Sequence, residues 1–299
     1  IDPENYKTAL SVTPAVSAQS VYLSEDGSAL NLSGYFQPET QFMIIVDADL
    51  QDRWGASLGE EVSFTFSTPP AEPALSLVTG PSSNNLVFVP ESASEVILQA
   101  TNLNTVTTEI SPIEVQDLIT LIKPENYDYR QGFLPESLET KIVNLNLTQN
   151  INEIVRLPLT YDGDPLIPGV YYLGLTSTDL SDEFGQKYQK YYLIVSENNI
   201  VMKIGLEQAL VWATKLVDRS PSVETPLTLY NTEGEQLASG VTDAEGLFTS
   251  EIDRSGVFYT NFFTVMGEPG STDFGFSIST WGQSDLYYET GIRVNTSPK

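Results

Sequence analysis

Apolar and polar residues alternate along most of this chain with the period of two that a strand with one buried face requires. The pattern is clearest from Gln208 to Ile252. Leu210, Trp212, Thr214 and Leu216 fall on one face of a first strand, and Val211, Ala213 and Lys215 on the other. The face carrying Trp212 is expected to point inward. Asp218 to Pro226 breaks the alternation with two prolines, and Leu227 to Tyr230 resumes it. Thr232-Glu233-Gly234-Glu235 reads as a hairpin turn, after which Leu237 to Val241 returns antiparallel. In Thr242-Asp243-Ala244-Glu245-Gly246 the Asp can accept bonds from the backbone ahead of it and the Gly can take a positive φ, so a second turn precedes a strand over Leu247 to Ile252.

The remainder of the chain reads the same way. Ala9 to Val12, Val21 to Leu23 and Ala29 to Leu32 are short strands, the last two flanking the turn Glu25-Asp26-Gly27-Ser28. Phe42 to Val46 is an apolar run expected to be a buried central strand, and Val62 to Phe66 alternates cleanly. Pro69, Pro70 and Pro73 deny ladder donors and mark a linker. Beyond it, Leu86 to Val89, Glu95 to Ala100, Ile142 to Leu147 and Leu166 to Leu175 read as strands, with Pro168-Gly169 as a turn. Apolar residues at 113, 115, 118, 119 and 122 have a helical spacing and predict one short surface helix. Glu197-Asn198-Asn199 is taken as the next boundary. Late strands are expected over Val257 to Met266, Phe274 to Ile278 and Leu286 to Val294. The run Asp49-Leu50-Gln51-Asp52-Arg53-Trp54-Gly55 is matched by Asp179-Leu180-Ser181-Asp182-Glu183-Phe184-Gly185, each after a strand and before another. That is either an internal repeat or the chemistry any such turn demands. These elements predict an all-β chain of tandem antiparallel β-sandwich domains at 1–70, 74–197 and 198–299.

In the stretch from Gln208, a strand LVWATKL, a loop with a proline, a strand LTLYN and then G-V-T-D-x-x-G follow in order. This order resembles the macroglobulin domains of bacterial α2-macroglobulin-like proteins. Trp212, Pro221, Leu229, Tyr230, Gly240, Thr242, Asp243 and Gly246 stand where that pattern wants them, while Arg219 replaces a usual glycine and Thr225 a usual alanine. The strand near Asn102 to Glu109 and the segment Leu166 to Leu175 are similar to other strands of the same domains. Leu32, Thr40, Phe42, Ile44, Val46, Asp52, Gly55, Leu58, Phe64, Phe66 and Thr68 fit the order of a bacterial Ig-like domain of the S-layer type.

Candidate chemistry is thin. Of 299 residues none is cysteine and none histidine, which removes disulfides, Cys/His zinc sites, thiol nucleophiles and imidazole-based triads. A net charge of −26 makes nucleic acid and anionic membrane poor partners. No apolar run approaches the roughly 18 residues of a membrane span. Asp47/Asp49/Asp52, Asp162/Asp164 and Asp179/Asp182/Glu183 lack the spacing of a calcium loop, so no metal ligand is assigned. Trp54, Trp212 and Trp281 sit in or beside strand patterns, where a core role is expected ahead of sugar stacking. The N-x-S/T triplets at Asn31, Asn146 and Asn295 carry little weight. No catalytic or cofactor-binding residue is expected.

The resemblance implies a non-catalytic segment of a protease-trapping inhibitor. Its partners would be proteases engaged through the full-length protein, and its location extracytoplasmic. Without a cysteine, the thioester such inhibitors form cannot lie here, and no stretch looks like a bait region. A monomer is expected, and the chain, which begins at Ile1, reads as part of something longer. The alternative is a module array from a bacterial adhesin or S-layer-type protein, built from similar sandwiches without a protease partner.

Overall fold

The computed structural model describes residues 1–2, 6–78, 85–160, 162–181, 187–205, 207–231, 233–252 and 261–279. The chain forms two compact units, one of Ile1–Pro73 with Thr148–Asn152 and one of Ala74–Leu147 with Glu153–Lys299.

The first unit contains β1 (Leu10–Thr13), β2 (Ser17–Leu23), β3 (Leu30–Tyr35), β4 (Gln41–Val46) and β5 (Val62–Ser67). Strands β1, β4 and β5 make an antiparallel sheet with β4 in the middle, and β2 and β3 pair separately as a hairpin. The turn between β2 and β3 is held by Asp26, whose carboxylate accepts bonds from Ser24 Oγ at 2.6 Å and Ser28 N at 3.0 Å. Bonds from Ser24 and Ser28 hold its pKa down at about 2. A stacked and edge-on trio of Phe36, Phe42 and Phe66 forms the centre. Phe42 to Val46 is central in its sheet, as expected, but only Phe42 is fully buried and Met43 is exposed. A three-stranded and a two-stranded layer do not provide enough surface to cover a strand on both faces. Glu39 closes the unit against its outlying loop, accepting from Gln149 Nε2 at 2.7 Å and Asn150 Nδ2 at 2.6 Å.

The second unit opens with β6 (Ala74–Leu77), β7 (Leu86–Val89), β8 (Glu95–Thr101), β9 (Thr105–Pro112), α1 (Val115–Leu121), α2 (Tyr127–Gly132), β10 (Glu139–Asn144), β11 (Glu153–Pro158), β12 (Gly169–Thr176) and β13 (Tyr188–Val195). It continues with β14 (Asn198–Ile204), β15 (Gln208–Lys215), β16 (Pro226–Tyr230), β17 (Gln236–Val241), β18 (Leu247–Glu251), β19 (Phe263–Met266) and β20 (Gly275–Ile278). These strands form four sheets, ordered β11-β8-β6, β10-β9-β12-β13-β7, β17-β16-β19-β20 and β14-β15-β18. All pairings are antiparallel except β13 with β7.

The five-stranded sheet is covered on both faces. Leu173, Leu175, Leu193 and Val195, with Val106 of the same sheet, pack with Leu75, Leu98 and Leu157 on one side. Val170, Tyr172, Tyr192 and Ile194 pack with α1 and with Phe263, Phe274 and Phe276 on the other. This is why β12 and β13 read as nearly continuous apolar runs. The four-stranded sheet is likewise covered twice, because Leu227 and Met266 turn the opposite way and meet Ile200, Val211 and Ala213.

Four expectations need correction. The helix over 113–122 exists as α1, but Leu118, Ile119, Leu121 and Ile122 are fully buried, so it is an element of the core rather than a surface helix. A second helix, α2, follows it. Its sequence, YDYRQG, has no apolar period to reveal it. Third, β15 faces the other way: Ala209, Val211 and Ala213 are buried and Trp212 is 46 % exposed. Ala209, Val211 and Ala213 meet Leu227, Leu229, Phe262 and Met266 of the facing layer, with Ile200 and Met202 of β14 and Phe248 of β18 filling the space beside them. Trp54, 83 % exposed with Arg53 over its ring, is likewise not a core residue. Trp281, the strand expected over Leu286 to Val294 and part of that over Val257 to Met266 lie outside the described residues.

Candidate functional site

The loop between β15 and β16 and the T-D-x-x-G turn that follows β17 close on each other. Thr242 is buried, donates from Oγ1 to Ser222 O and accepts at the same atom from Thr225 N at 3.0 Å. The two backbones add Thr242 N to Thr225 O at 3.1 Å and Glu224 N to Thr242 O at 2.9 Å. Asp243 Oδ1 accepts from Glu245 N at 3.0 Å and Leu247 N at 2.8 Å. Gly246 has φ +74°, and a Cβ there would strike Ala213 O. Arg219, standing at the pattern's glycine, has φ +64°. The side chains of Thr242 and Asp243 are thus spent on holding the loop and the turn together, which makes the motif a clasp.

A second polar cluster lies where the helices cross the five-stranded sheet. Tyr188 OH donates to Glu109 Oε2 and lies 2.8 Å from Tyr172 OH. Gly174 makes this possible, since a Cβ on it would overlap the Tyr188 hydroxyl. Burial pushes the Tyr172 hydroxyl up to about 12. Burial, together with the bonds to Glu109 and Tyr172, pushes Tyr188 up further. Tyr192 OH is buried without a hydrogen-bond partner among the described residues, and burial raises its pKa too. Lys190 Nζ donates to Gln131 O and, at 2.9 Å, to Phe133 O, capping the end of α2. Its pKa is lowered by burial. Arg130 Nη1 reaches Leu121 O at 3.2 Å and Asn126 Nδ2 reaches Thr120 O at 2.8 Å. Lys190 therefore fastens the end of α2 to the sheet, and Arg130 and Asn126 tie α2 and the turn before it to α1. The Tyr188–Glu109–Tyr172 bonds link β13, β9 and β12.

A third feature is an apolar groove of about 1100 Å³ lined by Pro90, Leu166, Ile167, Pro168, Leu216 and Val217. Beside it the passage from β13 to β14 is a buried polar knot. Asn198 Nδ2 donates to Thr272 O and Phe274 O, each at 2.9 Å, and Asn198 Oδ1 accepts from Ser222 Oγ at 2.9 Å. The sequence signalled this only as a polar triplet, Glu197-Asn198-Asn199.

The acidic clusters weighed as metal sites serve turns. Asp47 Oδ1 accepts from Asp49 N at 2.8 Å, and Asp52 Oδ1 from Trp54 N and Ala56 N. Asp162 Oδ1 lies 3.4 Å from Asp164 N, and Asp179 Oδ2 accepts from Asn104 N at 2.7 Å. Among the described residues no three such groups converge as a metal site; Asp182 and Glu183 lie outside them. At the matched positions Asp49 and Asp179, the oxygen of the side chain two residues earlier accepts the backbone N–H, from Asp47 and Ser177 respectively. Local turn chemistry is sufficient to account for that likeness.

The sequence matches no family model and no curated protein. Solved structures do resemble it. Native α2-macroglobulin from Escherichia coli spanning domains MG0-NIE-MG1 aligns over 93 % of this chain and 88 % of that one, with TM-score 0.56 and 16 % identity. Salmonella α2-macroglobulin reacted with methylamine aligns over 93 % of this chain with TM-score 0.62 and 16 % identity, and a point mutant of that protein does so at 0.61 and 16 %. The chain spans about 16 % of the length of the Salmonella protein. It thus has the fold of the N-terminal domains of bacterial α2-macroglobulin.

Proposed function

We propose that this chain is a non-catalytic structural segment of a bacterial α2-macroglobulin-like protease inhibitor, with an Ig-like domain at 1–70 and macroglobulin-like domains at 74–197 and 198–299. Its protease partners are engaged by the full-length protein, outside the cytoplasm, and the bait region and any thioester lie elsewhere in that protein. The observation that carries the reading is the structural likeness over 93 % of the chain to the three-domain MG0-NIE-MG1 segment. No helix among the described residues is long and apolar enough to cross a membrane. The rival reading, an adhesin-type array, predicts modules that each close their own core. Here Tyr172 and Tyr192 share a core with Phe263 and Phe274 instead.

The test compares the isolated chain with the longer polypeptide that contains it. With trypsin added, the longer protein should suppress cleavage of a large protein substrate while sparing a small chromogenic one. The isolated chain should do neither and should turn over no polysaccharide. Stoichiometric inhibition by the isolated chain, or no suppression by the longer protein, overturns the proposal.

A further inference from the structure

We propose that β5 is a docking edge, which takes up an extended, positively charged polypeptide segment of a partner as an added strand of the first unit's sheet. Among the described residues β5 pairs only with β4. Thr68 N donates to Thr40 O at 3.0 Å, one register step beyond the pair Gln41↔Ser67. Because bonded and non-bonded pairs alternate in an antiparallel ladder, Val62, Phe64 and Phe66 turn their backbone groups toward β4. Ser63, Thr65 and Ser67 turn theirs outward. Three N–H and three C=O groups are thereby presented along one edge at the spacing an incoming strand needs.

The side chains point to the same occupant. The cross-strand rows Leu10–Val46–Val62 and Val12–Ile44–Phe64 run across the sheet and stop at this edge. Phe64 is left 56 % exposed and Phe66 38 %. An added strand with apolar residues at alternate positions would extend those rows and cover both rings.

Edges not meant for pairing normally carry a charge, a proline or a bulge. Such devices mark β10 with Glu139 and Lys141, β11 with Arg156 and Pro158, β14 with Lys203, and the β2–β3 hairpin with an irregular register. The six residues of β5, VSFTFS, have none, and their register with β4 is unbroken. The edges β1, β6, β7, β17 and β20 also lack a charge or proline, but none of them leaves two aromatic rings exposed as β5 does. Charge selects the kind of strand. Glu60 and Glu61 stand directly before β5 in a chain of net charge −26, so a basic segment is attracted where a second copy of the chain would be repelled.

The experiment uses the full chain and a synthetic peptide of alternating threonine and valine with two lysines at each end. Fluorescence anisotropy should show saturable binding that weakens as salt rises. Amide exchange of Ser63, Thr65 and Ser67 should slow on binding, while Val62, Phe64 and Phe66 change little. Thr65→Pro removes one outward donor and no bond to β4, and should weaken binding at least tenfold with an unchanged melting temperature. If that variant misfolds, Glu60→Gln with Glu61→Gln, both exposed, should still weaken binding several-fold and flatten its salt dependence. Absence of binding up to about 1 mM peptide, or equal binding by a folded Thr65→Pro variant, overturns the proposal. So does a dimer that Thr65→Pro abolishes, since the edge would then belong to a second copy.

Discussion

Trp212 shows how a single position is decided by what lies opposite it. Its indole N–H reaches Glu245 O at 3.3 Å and its ring lies between Val201 and Leu247 on the outer face of β14-β15-β18. Truncation of a fully buried tryptophan costs about 3–5 kcal/mol, so Trp212→Ala, with half the side chain already in water, should cost about 1–2 kcal/mol. Urea titration measures this, and a loss above about 3 kcal/mol would mean the ring is buried after all. Arg219 makes the opposite kind of prediction. At φ +64° a side chain costs roughly 1 kcal/mol that glycine avoids, and the bond from Arg219 N to Lys215 O at 2.9 Å survives the change. Arg219→Gly should therefore be neutral or stabilising by up to about 1 kcal/mol. A destabilised variant would show that the side chain makes a compensating contact.

At the scale of elements, hydrophobic alternation located β15 to β18 correctly, and turn chemistry located Asp243 and Gly246. Alternation does not say which face is inward, because both faces of β15 carry apolar residues; the answer depends on which face meets Leu227, Leu229, Phe262 and Met266, residues further along the chain. The helix α2 and the Glu109–Tyr188–Tyr172 cluster were not legible either, since their members come from distant strands and from a polar helix. That cluster has a measurable consequence. Tyr172 titrates near 12 in the folded chain against about 10 unfolded, and Tyr188 and Tyr192 are shifted in the same direction. The folded state therefore holds protons that the unfolded state releases. This stabilisation is fully present below pH 10 and is lost as pH rises through 12. Lys190, shifted down, acts with the opposite sign but is one group against five, since burial raises Tyr171 and Tyr191 as well. Melting temperature should accordingly fall steeply above pH 10, and Tyr172→Phe with Tyr188→Phe should make that fall shallower. An unchanged alkaline slope in the double variant would place the sensitivity elsewhere.

For the second unit as a whole, the question is whether the domains proposed at 74–197 and 198–299 are separable bodies. Phe263 on β19 and Phe276 on β20 stack with ring centroids 6.1 Å apart, and both sit in the cluster that holds Tyr172, Tyr192 and α1. Ser196 Oγ donates to Phe274 O at 2.6 Å, so the passage between the two is itself tied into the second. A domain cut away at this point would expose a row of aromatic rings, and burying one such ring is worth about 2–3 kcal/mol. The two should therefore unfold together. Phe263→Ala should cost about 3–5 kcal/mol, and that loss should be felt on both sides of the junction. Native-state hydrogen exchange reads this directly: the slowest amides of β12 and β13, and those of β15 and β16, should share one opening free energy and lose the same amount in the variant. If only the amides of β15 and β16 respond, the shared core does not couple the two. They would then be independent modules joined by a short connection, and the adhesin-type array would regain ground against the inhibitor scaffold.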